Sequence, residues 1–158
     1  MKKKVIFFGG SGFLGSYFCE NILNNGYDLT IIDIKKPKFK GKFNFVKADI
    51  NNIKSFEKYI SSGSYVFNFA GWADIETSNQ NPLETQQNNI IGNSNILEVC
   101  SSKKIKKYIY ASTLYVFSDF GGFYKSSKLC SEILTKEYSK LFNIDYSILR
   151  FGSLYGPG

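Results

Sequence analysis

The chain opens with an apolar run that breaks directly into glycines and then resumes as a helix-length segment. Lys4-Val5-Ile6-Phe7-Phe8 is followed by Gly9-Gly10-Ser11-Gly12-Phe13-Leu14-Gly15. A buried strand, a tight glycine turn and a helix N-terminus in that order leave few folds open. The turn lets backbone approach a ligand closely, and the helix start presents N–H groups to an anion. The glycines satisfy two spacings. Gly10, Gly12 and Gly15 fit G-x-G-x-x-G, whereas Gly9, Gly12 and Gly15 fit a G-x-x-G-x-x-G variant. Either spacing reads as a dinucleotide pyrophosphate site, with Gly9, Gly12, Phe13, Leu14 and Gly15 closest to the phosphates.

Apolar runs alternate with helix-length segments along the rest of the chain. Strands are expected at Lys4–Phe8, Asp28–Ile34, Phe43–Lys47, Tyr65–Phe69, Tyr108–Ser112 and Tyr146–Phe151. Helices are expected at Phe13–Asn24, Ile53–Ile60, Pro82 to about Ser101, and Tyr124–Phe142. Asn25-Gly26 reads as the stop of the first helix, Asn51 or Asn52 as the cap of the second, and Pro82 as an early-turn proline of the third. Regular alternation implies an α/β fold: a Rossmann-type, doubly wound parallel sheet in a three-layer αβα sandwich. Ligands of such sheets bind at the carboxyl ends of the strands. The length of 158 residues suits one domain with a single core.

Composition narrows the chemistry. There is no histidine, so imidazole acid–base catalysis is excluded, and proton transfer falls to Tyr, Lys, Asp, Glu or a hydroxyl. Cys19, Cys100 and Cys130 are scattered without a C-x-x-C pair and read as reduced thiols, not as a metal site. The net charge of +7 is nearly all lysine, with clusters at Lys35–Lys42 and Lys103–Lys107. The second cluster falls where a helix should end and lysine favours the dipole. No nucleic-acid partner is therefore expected. No run approaches the roughly 20 apolar residues of a membrane span. The lysine-led first strand is too short for a signal peptide, which makes a cytoplasmic protein the expectation.

Four further stretches carry candidate chemistry. Asp33 ends the second strand about 20 residues beyond the glycines, where a carboxylate can accept from both ribose hydroxyls. It would repel a 2′-phosphate, favouring NAD over NADP, although Lys35 and Lys36 could pair with that phosphate. Asp49 and Ile50 either flank the adenine or form an ordinary loop. Phe69-Ala70-Gly71 ends the fourth strand with small residues that admit a cofactor, or else is a simple turn; Trp72 and Asp74 follow as linings of the substrate side. Tyr124 and Lys128 stand at i and i+4 on one helix face. An ammonium there should stabilise phenolate and lower the phenol pKa from about 10. No other Tyr-x-x-x-Lys occurs in the chain. Ser112-Thr113 ends the fifth strand with hydroxyls suited to a substrate oxygen.

These residues together resemble the extended short-chain dehydrogenase/reductase family, in its NAD-dependent epimerase/dehydratase group acting on nucleotide sugars. The resemblance is carried by the glycine run, Asn89-Ile90-Ile91-Gly92, Tyr110-Ala111-Ser112-Thr113, Tyr124-x-x-Ser127-Lys128-Leu129-x-x-Glu132, and Leu149-Arg150-Phe151-Gly152-x-x-Tyr155-Gly156-Pro157-Gly158. It implies catalytic roles for Thr113, Tyr124 and Lys128, the latter two also meeting the cofactor, and a supporting role for Asn89 in a proton relay through Lys128. It further implies a nucleotide-sugar epimerase or reductase, and a homodimer through the Pro82–Ser101 and Tyr124–Phe142 helices. The alternative is a non-catalytic dinucleotide-binding module. Departures are Phe8 where the family has threonine, Leu114-Tyr115 where its dehydratases have Asp-Glu, a short Thr113-to-Tyr124 stretch, and Phe117-Ser118 where Tyr-Gly is usual. The family's smaller substrate domain is absent from residues 1–158, so a truncated sequence is expected.

Overall fold

The computed structural model describes residues 2–156. Six parallel strands form one sheet: β1 (Lys4–Phe8), β2 (Asp28–Asp33), β3 (Asn44–Lys47), β4 (Tyr65–Asn68), β5 (Lys107–Thr113) and β6 (Tyr146–Phe151), in the order β3-β2-β1-β4-β5-β6. Every pairing is parallel, with Val5 against Leu29 on one side and Tyr65 on the other. The order reverses between β1 and β4, and both strands end at the glycine turn and at Phe69. That is the switch point at which a crevice must open.

β1 shows why the sheet needs cover on both faces. Its side chains alternate with period two. Val5 and Phe7 point into a core with Cys19, Leu29 and Ile31, against helix α1 (Phe13–Asn24). Ile6 and Phe8 point into the opposite core with Phe56, Ile96, Leu97 and Tyr108. That second core is closed by α2 (Ile53–Phe56), α5 (Gly92–Lys103) and α6 (Gly122–Phe142). The expected three-layer architecture is the observed one. Phe7 stacks on Phe67 with ring centroids 5.1 Å apart and interplanar angle 10°, extending the aromatic packing across the sheet.

Helix α1 and strands β1 and β6 have the expected limits. Asn25 caps α1, and Gly26 follows in the left-handed region at φ +77. The helix expected at Ile53–Ile60 is shorter, giving way to a 3-10 turn at Glu57–Tyr59; Asn52 caps it by position, without a side-chain hydrogen bond. The single helix expected from Pro82 is three pieces: α4 (Pro82–Gln86), a π-helical turn (Gln87–Ile91) and α5. Two elements were not anticipated. Helix α3 (Ile75–Gln80) has only Ile75 as an apolar residue, and so no periodicity; its signal was Asp74, whose Oδ1 accepts from Thr77 N at 2.7 Å. A 3-10 turn at Leu114–Phe117 follows β5 directly. Among the described residues no helix is long and apolar enough to cross a membrane.

Candidate active site

One cleft runs along the carboxyl edge of the sheet and has two lobes that share Gly9, Gly12, Phe69 and Gly71. The first, about 400 Å³, also takes in Asp33, Asp49, Ile50 and Ala70. The second, about 540 Å³, takes in Phe13, Leu14, Gly15, Thr113, Tyr124 and Lys128. The cleft thus gathers all the expected cofactor and catalytic residues except Asn89.

Each glycine of the turn is required for a different reason. Gly9 has φ +80, and a Cβ there would lie 2.5 Å from Ala70 N. A Cβ on Gly15 would collide with Gly9 O. Gly10 is wedged between Cys19 Sγ and Ile31, each 2.8 Å from an added Cβ, and lines neither lobe. Gly12 alone faces largely open space, its nearest neighbour being Gly9 O at 3.4 Å. The cleft-facing triplet is therefore Gly9, Gly12 and Gly15, which decides between the two spacings. Gly12 caps α1 without any side-chain hydrogen bond, so the helix start faces the cleft as backbone.

At the outer lobe, Asp33 is bound to the turn. Its Oδ2 accepts from Ser11 N and its Oδ1 from Lys35 N, both at 3.0 Å, and Ser11 Oγ donates to Lys35 O at 2.6 Å. Each carboxylate oxygen retains a lone pair for a hydroxyl donor. Asp49 Oδ1 accepts from Asn51 N at 2.8 Å, and Ile50 O accepts from Asn95 Nδ2 at 2.9 Å. Lys35 lines this lobe, as do Ser11 and Asn88, which were not expected there: Ser11 is a non-glycine position of the turn and Asn88 comes from a distant element. Trp72 lies here as well, not on the substrate side where it was expected; Asp74 does lie in the inner lobe. Trp72 is held by its backbone, with N donating to Asn89 Oδ1 at 2.7 Å and O accepting from Asn89 Nδ2 at 3.0 Å.

The inner lobe is assembled from the end of β5 and the first turns of α6. Tyr124 and Lys128 share a face, as expected, and both are buried. Lys128 Nζ donates to Ala111 O at 3.0 Å and lies 6.0 Å from the Tyr124 ring centroid. Burial pulls the Lys128 pKa down to about 8. Burial also holds the Tyr124 phenol above its ordinary value, against a smaller opposing hydrogen bond with Thr113. This reverses the expected direction for Tyr124. Desolvation of the phenol outweighs an ammonium that is itself desolvated and hydrogen-bonded elsewhere.

Asn89 sits in the π-helical turn, a geometry that recurs at functional sites. Its Nδ2 also donates to Ser127 Oγ at 2.9 Å, and its O accepts from Ser131 Oγ at 2.7 Å. It therefore touches the residue beside Lys128, and its hydrogen bonds go to Trp72, Ser127 and Ser131. Beneath the site, Glu132 accepts from Ser112 Oγ at 2.7 Å and from Arg150 Nε and Nη2 at 2.8 and 2.6 Å. The guanidinium stacks on the Phe117 ring, 4.7 Å from its centroid. This clamp ties β5, β6, α6 and the 114–117 turn together. Its only sequence sign is a carboxylate on the buried face of α6 and the chain's one arginine.

Residues 5–158 match the NAD dependent epimerase/dehydratase family. The chain belongs to this family. Among curated relatives it is 29% identical over 171 residues to a putative UDP-glucose 4-epimerase of Methanocaldococcus jannaschii, covering 94% of this chain and 55% of that protein. It is 29% identical over 154 residues to a UDP-glucuronate 4-epimerase of Thermodesulfobacterium geofontis, covering 85% of this chain and 47% of the relative. A solved UDP-glucuronic acid 4-epimerase from Bacillus cereus, in complex with UDP-glucuronic acid and NAD, superposes with a TM-score of 0.84 at 28% identity, over 98% of this chain and 58% of that one. The chain spans about half the length of the curated relatives it matches.

Proposed function

We propose that the protein is an NAD-dependent epimerase or reductase of a nucleotide sugar, with Tyr124 as its acid/base. The observation that carries this reading is the placement of Thr113, Tyr124 and Lys128 in one lobe of a cleft whose other lobe holds Asp33, with the glycine turn lining both. The chain's own residues fit a dinucleotide: Gly12 leaves open space where a side chain would stand, and Asp33 offers acceptors to a diol. Gly9, Gly12, Phe13, Leu14 and Gly15 hold the pyrophosphate on the start of α1. Asp33 takes the adenosine ribose and disfavours NADP; Asp49 and Ile50 flank the adenine; Phe69, Ala70 and Gly71 form the floor. NAD, when bound, supplies the hydride acceptor.

Thr113 orients the reacting oxygen of the sugar by hydrogen bonding. Tyr124 takes the proton from that oxygen or returns it. Lys128 stabilises the phenolate by charge, and Asn89 fixes the loop at Trp72 and the helix at Ser127, so that Lys128 keeps its place. Several relatives are named as 4-epimerases of UDP sugars, which supports a nucleoside diphosphate sugar as substrate. Exposed apolar residues, Leu129 and Ile133 on α6 and Ile91 in the π-helical turn that leads into α5, support a homodimer through α5 and α6.

The test is turnover of UDP sugars by the protein at its full natural length, wild type against Tyr124→Phe. A loss of about 10²–10⁴-fold is expected. Equal activity in the variant removes Tyr124 from the mechanism. NADH binding without turnover of any nucleotide sugar favours the binding-module alternative. Sedimentation as a monomer at micromolar concentration counts against the dimer.

A further inference from the structure

Among the described residues, the buried ammonium of Lys128 has no carboxylate partner. The ion pairs among the described residues are Lys107–Asp145, Lys140–Glu137 and Arg150–Glu132. Glu132, one helical turn along α6 from Lys128, is committed to Arg150 and Ser112. Asp74 lines the same lobe but caps α3, where it accepts from Thr77 N, and is not ion-paired with Lys128; the other titratable groups around the pocket are Tyr110 on β5, Tyr115 on the 114–117 turn, and Tyr124 and Cys130 on α6. These phenols and this thiol are neutral when protonated. One carbonyl, Ala111 O, satisfies one of the three ammonium donors.

The remaining neighbour is an aromatic face. Lys128 Nζ lies over the Tyr110 ring, 5.0 Å from its centroid and nearer than to the Tyr124 ring. Tyr110 is fully buried, and its hydroxyl lies close to Ser131. The part of Tyr110 that meets the ammonium is its ring face, not its hydroxyl. We propose that Tyr110 is a positioning residue for Lys128, its ring face holding the ammonium in place and charged between β5 and α6. The attraction between a cation and a ring quadrupole is stronger when both are desolvated, as they are here. A lysine that lost its proton near neutral pH could not stabilise a phenolate. The proposal rests on the reading of Tyr124 and Lys128 as the proton-transfer pair. Its own test, however, needs no turnover.

The Lys128 ε-carbon resonance is followed against pH in the full-length protein, assigned by its loss in Lys128→Arg. Three forms are compared: wild type, Tyr110→Phe, and Tyr110 replaced by 3,4,5-trifluorophenylalanine, an electron-poor ring of nearly the same size. Tyr110→Phe should leave the titration midpoint within a few tenths of a pH unit. The fluorinated ring should raise the acid dissociation constant of Lys128 about tenfold. Equal midpoints in all three forms overturn the proposal. So does an equal shift in both variants, which would assign the effect to the hydroxyl. Failure of the Tyr124→Phe turnover test with the expected Lys128 shifts would instead remove the mechanism and leave the Tyr110–Lys128 contact standing.

Discussion

Two walls of the cleft, the glycine turn and the β5–α6 wall, are built on opposite principles. The glycine turn is shaped by what is missing: Gly9 and Gly15 allow backbone to touch backbone, and Gly12 leaves a gap toward the ligand. The β5–α6 wall is backed by what is buried: Asn89, Ser112, Thr113, Ser127, Lys128, Ser131 and Glu132 are all polar and all buried. A wall made by omission fails when any atom is added. A wall backed by buried polar groups fails when a partner is taken away, since the group left behind keeps its desolvation cost. Each wall should therefore respond to a different kind of substitution.

Gly15→Ala should produce the largest effect. Its Cβ collides with Gly9 O, and Gly9 is itself pinned against Ala70, so the turn has nowhere to move. A stability loss of about 3 kcal/mol is expected from this overpacking, together with loss of NADH binding beyond 100-fold in a fluorescence titration. Binding within threefold of wild type would break the contrast between the two walls.

Removal of a partner should act next most strongly. Glu132 is 1% exposed on its side chain and Arg150 is 32% exposed. Glu132→Ala strands the Arg150 charge and Ser112 together. Because Arg150 reaches solvent, the cost should fall below the range for a wholly buried pair, at about 2–3 kcal/mol in urea unfolding. Burial works to raise the Glu132 pKa, but the Arg150 and Ser112 hydrogen bonds outweigh it, and the net shift is downward. A depressed carboxylate contributes stability above its unfolded value of about 4.3, and that contribution is lost as pH falls through the folded value. The difference between wild type and Glu132→Gln should shrink on acidification below about pH 4. A constant difference down to pH 2 would deny the clamp its charge.

Lys128 offers the reverse sign. Its folded pKa of about 8 lies below the 10.5 of a free lysine. The unfolded chain therefore binds more protons between those values, and stability should rise with pH from about 8 to 10.5. Lys128→Met should abolish this rise and stabilise the protein near pH 7 by up to about 3 kcal/mol, while removing turnover. Destabilisation by Lys128→Met at pH 7 would mean that the ammonium holds the lobe together instead of straining it.

The same difference between the two walls explains how far the sequence could be read. Six strands, their parallel alternation and the glycine turn were legible, because Phe7 and Phe8 mark two buried faces of β1 and glycine spacing is a local pattern. The pair Tyr124 and Lys128 was legible as helix spacing, and Thr113 as a strand end. What escaped depends on contacts distant in sequence. Ser11 reaches Lys35, Asn89 reaches Trp72 and Ser127, and Glu132 reaches Arg150. The π-helical turn escaped because no local pattern within Gln87–Ile91 marks it; Asn89, inside it, hydrogen-bonds to elements distant in sequence. The direction of the Tyr124 shift escaped for a related reason, since spacing reveals the neighbouring charge but not the loss of water.

Gly12→Ala separates shape from stability most finely. An alanine Cβ there meets only Gly9 O, at 3.4 Å, which is ordinary contact, and Gly12 has φ -73, which any residue adopts. Thermal unfolding should therefore stay within about 0.5 kcal/mol of wild type, as for a substitution that touches no special feature. The added methyl nevertheless stands at the start of α1, where backbone N–H groups would meet a pyrophosphate. NADH binding should weaken at least tenfold. Gly15→Ala unfolds the turn and loses the ligand with it, whereas Gly12→Ala should lose the ligand from an intact turn. If Gly12→Ala binds NADH as tightly as wild type, the gap left by Gly12 is not where the dinucleotide lies, and the pyrophosphate must be sought elsewhere along the cleft.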